Sequence, residues 1–372
     1  MKFDSLTVHA GRAPDPGTGA VVPPIHLSTT FERDADGAFS RGYSYIRDGN
    51  PNCQALETCL RELEGGAEAI ALSSGTAASF AVVQSLAPGD RIVASRDLYY
   101  GFRQQLTEYF PRWGIEASFV DVNDDAELSR ALQSKPKMLW IETPSNPLIE
   151  VIDIARCAKA AHDAGAALIC ENSFASPALQ RPLELGADVV VHSVTKYLAG
   201  HSDVMAGAVV VRESGELAAR VRQFEQVGGA VLGPFDAWLA LRGIQTLGAR
   251  MEAHSRNAQA IATALRAQPK VARVYYPGLP DDPGHAIAKR QMRAFGGMLA
   301  FEVRGGRAEA FATVARLQTI VRATSLGGTH SLIEHRASIE GPQTRAPEGL
   351  LRLSVGIEDV ADLIADLERA LG

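Results

Sequence analysis

The chain has 372 residues, 46% of them hydrophobic and 22% charged, with a formal net charge of −6. Such a length exceeds a single core and predicts two domains, and the mildly acidic balance leaves no footprint for nucleic acid. No apolar run is long enough to cross a bilayer, Met1–Ser5 lacks the core of a secretory signal, and the four cysteines lack metal-binding spacing, which predicts a cytoplasmic protein with reduced thiols, no metal and no membrane partner.

Residues 1–55 are rich in Gly, Pro, Thr and Arg and show little periodicity. A long irregular arm is unusual inside a compact monomer, so this one is expected to pack across a neighbouring subunit of a homo-oligomer. From 56 to 235 the pattern alternates. Helical segments at Gln54–Leu63, Thr76–Leu86, Gly101–Phe110 and Ile154–Ala164 are separated by short apolar runs. Those runs are Ala69–Leu72, Arg91–Ala94, Ser118–Val122, Met138–Ile141, Ala167–Cys170, Val189–Val191 and Ala208–Val211. Strand–helix alternation of this kind predicts a mostly parallel sheet with helices on both faces, that is, an α/β domain. A helical stretch from Pro234 to about Ala267 leads into residues 236–372. There Met298–Val303, Leu350–Val355 and the helix Val360–Leu371 predict a smaller α+β domain.

In an open α/β sheet, ligands bind beyond the carboxyl ends of the strands, so the residues following each run carry the interest. Ser73-Ser74-Gly75-Thr76 opens a helix, where free N–H groups and the macrodipole suit a phosphate as well as a plain cap. Glu142-Thr143-Pro144-Ser145-Asn146, Glu171-Asn172-Ser173 and His192-Ser193-Val194-Thr195-Lys196 follow three further runs. The chain holds seven lysines against thirty arginines, and an amine, unlike a guanidinium, can lose its proton and attack a carbonyl. Lys196 is therefore the candidate Schiff-base lysine. Amine, phosphate site, hydroxyls and a buried carboxylate at Glu171 together describe a pyridoxal 5′-phosphate site, in which an anion keeps the pyridine nitrogen protonated. Ser193-x-x-Lys196 also matches the S-x-x-K of serine β-lactamases, but the S-D-N and K-T-G elements of that class are absent.

The stretch Ser193-Val194-Thr195-Lys196-Tyr197-Leu198-Ala199-Gly200-His201-Ser202-Asp203 resembles the lysine signature of the cystathionine γ-synthase/γ-lyase family of pyridoxal-phosphate enzymes. Ordered matches run along nearly the whole chain: Tyr45-x-Arg47-x-Gly49-Asn50-Pro51, Glu142-x-Pro144-Ser145-Asn146-Pro147, Ser325-Leu326-Gly327-Gly328 and Leu351-Arg352-Leu353-Ser354. The resemblance implies a fold-type-I enzyme with a mostly parallel seven-stranded sheet. It also implies a homotetramer built from dimers that share active sites. By the same resemblance Lys196 binds the cofactor and moves protons, and Tyr99 stacks on the ring and assists. Gly75, Thr76, Ser193 and Thr195 hold the phosphate, joined by Tyr45 and Arg47 of the adjacent subunit. Glu171 serves the ring nitrogen, Ser173 also binds the cofactor, and Asn146 lies near the ring's phenolic oxygen. Arg352 grips the substrate carboxylate, with Ser325 and Asn146 also binding substrate.

The implied activity is γ-elimination or γ-replacement on a sulfur-containing or O-acylated L-amino acid. Elimination at the β-carbon and a specialised γ-substrate are the alternatives. Several positions depart from the family pattern. Glu171 stands for the usual Asp, Ser44 for an acidic residue before Tyr-x-Arg, and His330 for a Glu after the Ser-Leu-Gly-Gly turn. The segment His335-Arg336-Ala337-Ser338-Ile339-Glu340-Gly341-Pro342 replaces a His-Pro-Ala-Ser-Met-Thr-His type. Cofactor contacts are thus kept while distal substrate contacts change.

Overall fold

A computed structural model describes residues 1–340 and 344–372; Gly341 and Pro342 of the departing segment lie outside the described residues. Seven strands form the larger sheet: β1 (Glu68–Leu72), β2 (Arg91–Ser95), β3 (Glu116–Val120), β4 (Met138–Glu142), β5 (Ala167–Glu171), β6 (Val189–Ser193) and β7 (Gly207–Val211). Their order is β1-β7-β6-β5-β4-β2-β3, and only β7 runs against its neighbours. Each strand alternates its side chains between the two faces. Leu139, Ile141, Leu168 and Val190 join one core cluster, whereas Trp140, Ile169, Val189 and Val191 join the other. Both faces are covered by helices, which is why these strands read as unbroken apolar runs.

The smaller sheet contains β8 (Val271–Tyr275), β9 (Met298–Val303), β10 (Val321–Arg322), β11 (Leu332–His335) and β12 (Leu350–Ser354), in the order β10-β11-β12-β9-β8. Its apolar face, including Phe301, Leu351 and Leu353, packs with Ile261, Val314 and Leu367 from three helices.

Three expectations need adjustment. The third strand ends at Val120, because β3 pairs with β2 only from Glu116 to Val120; Val122 is buried but unpaired, so its apolarity marked burial rather than a ladder. The expected helix Gly101–Phe110 is an α-helical turn (Tyr100–Gln104), a wider π turn (Gln105–Tyr109) and a 3₁₀ turn (Phe110–Trp113). Pro111, which has no N–H to donate, sits in that last turn. The stretch from Pro234 to Ala267 is two helices, Pro234–Ile244 and Leu247–Arg266. At the break, the Gly243 carbonyl accepts from Thr246 Oγ1 at 3.2 Å and Arg250 Nη2 at 2.9 Å. Side chains have captured an acceptor that a continuous helix would use for itself.

The N-terminal region has a helix at Phe3–His9 and irregular backbone up to the helix Pro51–Glu64, which Asn50 caps by accepting from Asn52 N–H. The irregular part exposes Val21 (81%) and Leu27 (68%). So much uncovered apolar surface on one segment asks for something to cover it.

Candidate active site

The carboxyl ends of β4, β5 and β6 lie side by side, and register pairs Glu142 with Glu171. A cavity of about 330 Å³ opens there, closed from the other side by Ser325, Glu334, Arg336 and Arg352 of the smaller sheet and its connections. Of the residues expected in the site, Gly75, Thr76, Tyr99, Asn146, Glu171, Ser173, Ser193, Thr195, Lys196, Ser325 and Arg352 all line it. Tyr45 and Arg47 do not. Both are exposed on the N-terminal arm, with the Arg47 guanidinium 5.3 Å from the Tyr45 ring centre.

Ser74 caps the helix Gly75–Gln84, its Oγ accepting from Ala77 N–H at 3.1 Å. The first turn leaves N–H groups directed at the cavity. Glycine is required at two points of this wall. A Cβ on Gly75 would stand 2.8 Å from Ser193 Cβ, and one on Gly207 would stand 2.0 Å from the Ser74 carbonyl oxygen. Thr195 lines the cavity, but its hydroxyl is engaged with Ala206, donating to the carbonyl at 3.2 Å and accepting from the N–H at 3.0 Å.

Lys196 Nζ donates to Ser325 Oγ at 2.9 Å. Burial, and secondarily the charge of Arg352, lowers its pKa from 10.5 to about 8. Ser325 is held at φ +85°, a conformation costing about 1–3 kcal/mol for a residue with a side chain. Its carbonyl accepts from Arg352 Nη2 at 3.0 Å, and the bend aims its hydroxyl at the lysine.

Glu142 is buried, and its register partner Glu171 is half-buried against the cavity. Complete burial and the neighbouring Glu171 push Glu142 well above the ordinary carboxylate range. Burial raises Glu171 as well, but the Ser173 hydroxyl, His192 and the backbone N–H groups oppose it. Both carboxyls are thus raised, Glu142 the further of the two. Glu171 curls back on Ser173, which donates to it through both Oγ and N–H, the latter at 3.1 Å. Behind this wall, Gln180 Nε2 donates to Thr143 O and Asn172 Oδ1, each at 3.0 Å, and His192 Nε2 lies 2.6 Å from Glu64 Oε1. These buried bonds tie the ends of β4, β5 and β6 together.

Tyr99 lies at the mouth, its hydroxyl pushed up to about 12 by burial and then by Tyr100. Its backbone N–H donates to Glu142 Oε2 at 2.7 Å. Arg352 is buried, donating from Nη1 to Asn146 Oδ1 at 2.9 Å and from Nη2 to Glu334 Oε1. Sequence reasoning placed Glu142 at a strand end without a role, missed Glu334 and Tyr100, and read Arg336 only as a departure. A charged residue in an apolar strand asks for a partner, so Arg352 was itself the signal for Glu334, its register partner on β11.

A half-buried amine of lowered pKa, a carboxylate and a helix N-terminus around one cavity define a pyridoxal-phosphate site, and the residues present fit that group. The glycine-lined cradle leaves room for a phosphate, and Glu171 can meet a protonated ring nitrogen. The chain belongs to the family of Cys/Met metabolism PLP-dependent enzymes, whose profile matches residues 4–372. It is 47% identical to the cystathionine gamma-synthase of Mycobacterium tuberculosis, over 98% of this chain and 95% of that protein. Identity to the cystathionine beta-lyase of Coxiella burnetii is 44%, over 99% and 97%. The structure of cystathionine gamma synthase from Xanthomonas oryzae with aminoacrylate and cysteine superposes with a TM-score of 0.96 at 42% identity, covering 100% of this chain and 98% of that one. The fold is accordingly that of a fold-type-I pyridoxal-phosphate enzyme.

Proposed function

We propose that the protein catalyses γ-replacement or γ-elimination on an L-amino acid carrying a sulfur or O-acyl group at its γ-carbon. The observation that carries this reading is the half-buried Lys196 amine, its pKa lowered to about 8, between Glu171 and Arg352. Bound pyridoxal phosphate supplies the carbonyl that the substrate amine joins and a ring that withdraws the electron pair left when Cα loses its proton. Gly75 and Thr76 offer N–H groups to the phosphate, with Ser193 adding its hydroxyl. Glu171, held by Ser173, keeps the ring nitrogen protonated. Arg352 and Asn146 fix the substrate carboxylate, which orients the Cα–H bond toward Lys196. With its pKa near 8, Lys196 Nζ can both take a proton from Cα or Cβ and return one. Tyr99 covers the outer face and sheds water.

Tyr45 and Arg47 serve the phosphate of a neighbouring subunit, so the arm of residues 1–55 completes the site of a partner. The 56–235 domain binds the cofactor and the 236–372 domain closes the substrate side. A cytoplasmic homotetramer of site-sharing dimers fits the exposed apolar arm. Cleavage at the β-carbon is the second reading, favoured by the 44% identity to a cystathionine β-lyase.

The test is a panel of cystathionine, O-acyl-homoserines, methionine and cysteine. γ-Cleavage of cystathionine yields cysteine and 2-oxobutanoate, whereas β-cleavage yields homocysteine and pyruvate. Turnover of none of these would point to the specialised γ-substrate. Borohydride trapping of the cofactor on a residue other than Lys196 would end the reading altogether.

A further inference from the structure

Four charges form an unbroken row beside Lys196: Arg352, Glu334 and Arg336 line the cavity, and Glu340 continues the row outside it. Arg352 Nη2 and Arg336 Nη1 both donate to a single oxygen, Glu334 Oε1, the second at 2.6 Å. Arg336 also donates to Glu340 Oε1 from Nε at 3.1 Å and Nη2 at 2.8 Å. Exposure is 3% for Arg352, 6% for Glu334 and 3% for Arg336. Glu334 Oε2 has no partner among the described residues. Burying such a row is unfavourable unless every charge stays paired. One half of it, Arg336 and Glu340, lies where this chain departs from the family pattern.

We propose that Arg336 sets the strength of Arg352's grip on the substrate carboxylate by holding Glu334 as a shared counter-ion. This rests on the reading of Arg352 as the carboxylate contact. Alone with Arg352, the Glu334 carboxylate would close a two-toothed pair on that guanidinium and neutralise the fork a substrate needs. With Arg336 present, Glu334 keeps a second cation. Arg352 can then turn part of its fork to an incoming carboxylate without leaving Glu334 buried and unpaired. Glu340 in turn balances Arg336, so the row stays neutral until the substrate adds its own charge. Arg336 is a positioning residue that acts through Glu334.

The holoenzyme tests this with a carboxylate that has no amino group, 4-methylthiobutanoate, read as a competitive inhibitor beside KM and kcat. In Arg336→Met the inhibition constant and KM are expected to rise about tenfold or more, the scale of one charge-assisted contact, with kcat within about twofold. Cofactor absorbance should be unchanged, and Arg336→Lys, which keeps the charge but not the fork, should fall between. An unchanged inhibition constant, or a fall in kcat at constant KM, overturns the proposal. Should Arg336→Met fail to accumulate folded, Arg336→Lys decides alone, an unchanged constant again counting against it. Arg352→Met separates the two levels. If it too leaves carboxylate affinity intact, the carboxylate reading itself has failed; if it abolishes affinity while Arg336→Met does not alter it, only the shared counter-ion is lost.

Discussion

Gly75→Ala puts the phosphate cradle under a defined strain. The added Cβ would lie 2.8 Å from Ser193 Cβ and 3.0 Å from both Ser193 Cα and Ser193 Oγ. Relaxed carbon–carbon contacts sit at about 3.5–4.0 Å, so the helix Gly75–Gln84 and the end of β6 must separate by roughly 0.7 Å or more. The atoms met include backbone, which cannot swing aside as a side-chain tip would. Overpacking of this kind costs about 1–3 kcal/mol. Because β6 leads directly to Lys196, the separation moves the cradle away from the amine that the same cofactor must reach. The cofactor-free variant can relax by this separation, whereas holding the phosphate and reaching the amine draws the two elements back together. The cost therefore falls on the bound state, and affinity drops about 5- to 150-fold. Titration of the cofactor-free variant with pyridoxal phosphate, followed by absorbance, measures this directly, and urea unfolding of the same sample shows that the fold survives. Affinity within twofold of the parent in a folded variant would refute the argument that Gly75 is needed for close approach at a phosphate.

Ser173→Ala removes a donor to Glu171 and an acceptor for the Ser193 N–H at 2.6 Å. Unfolding should become easier by about 2–4 kcal/mol, and a denaturation midpoint that does not move counts against Ser173 as the brace of the carboxylate. Lys196→Met should stabilise the cofactor-free protein at pH 7. The folded lysine releases its proton near pH 8 and the unfolded one near 10.5. Between those values the unfolded chain binds more protons, so the parent gains stability as pH rises through the window. The advantage of Lys196→Met, about 3 kcal/mol at neutral pH, should therefore fade toward pH 10.5. Urea melts across pH check it, and a pH-independent difference would exclude the burial explanation. Arg47→Ala and Lys196→Ala, each inactive alone, should regain activity when mixed, dissociated and reassembled. Mixtures that stay inactive mean the arm does not serve a neighbour.

Much of the site was legible before any coordinates. β6 begins with the apolar run Val189–Val191, and such a run flanked by helical segments reads as a strand buried on both faces, which places Lys196 at its mouth. Local chemistry was enough for Ser74 as a cap, and the bond from Ser173 to Glu171 is local too, since both join residues within three positions. The break at Gln245–Thr246 was not legible, because the competition for the Gly243 carbonyl comes from Arg250 as well as from the backbone.

What the amino-acid order determined by itself was the list of chemical groups and the strand ends that carry them, because side-chain alternation and helix starts are properties of a few consecutive residues. Only the tertiary structure decided which charges meet. Glu334 and Arg352 are 18 positions apart and Glu171 is a register partner of Glu142, so the raised carboxyl pKa of Glu142 and the sharing of Glu334 follow from strand pairing and burial. Those are long-range facts, set by how two sheets close on one cavity.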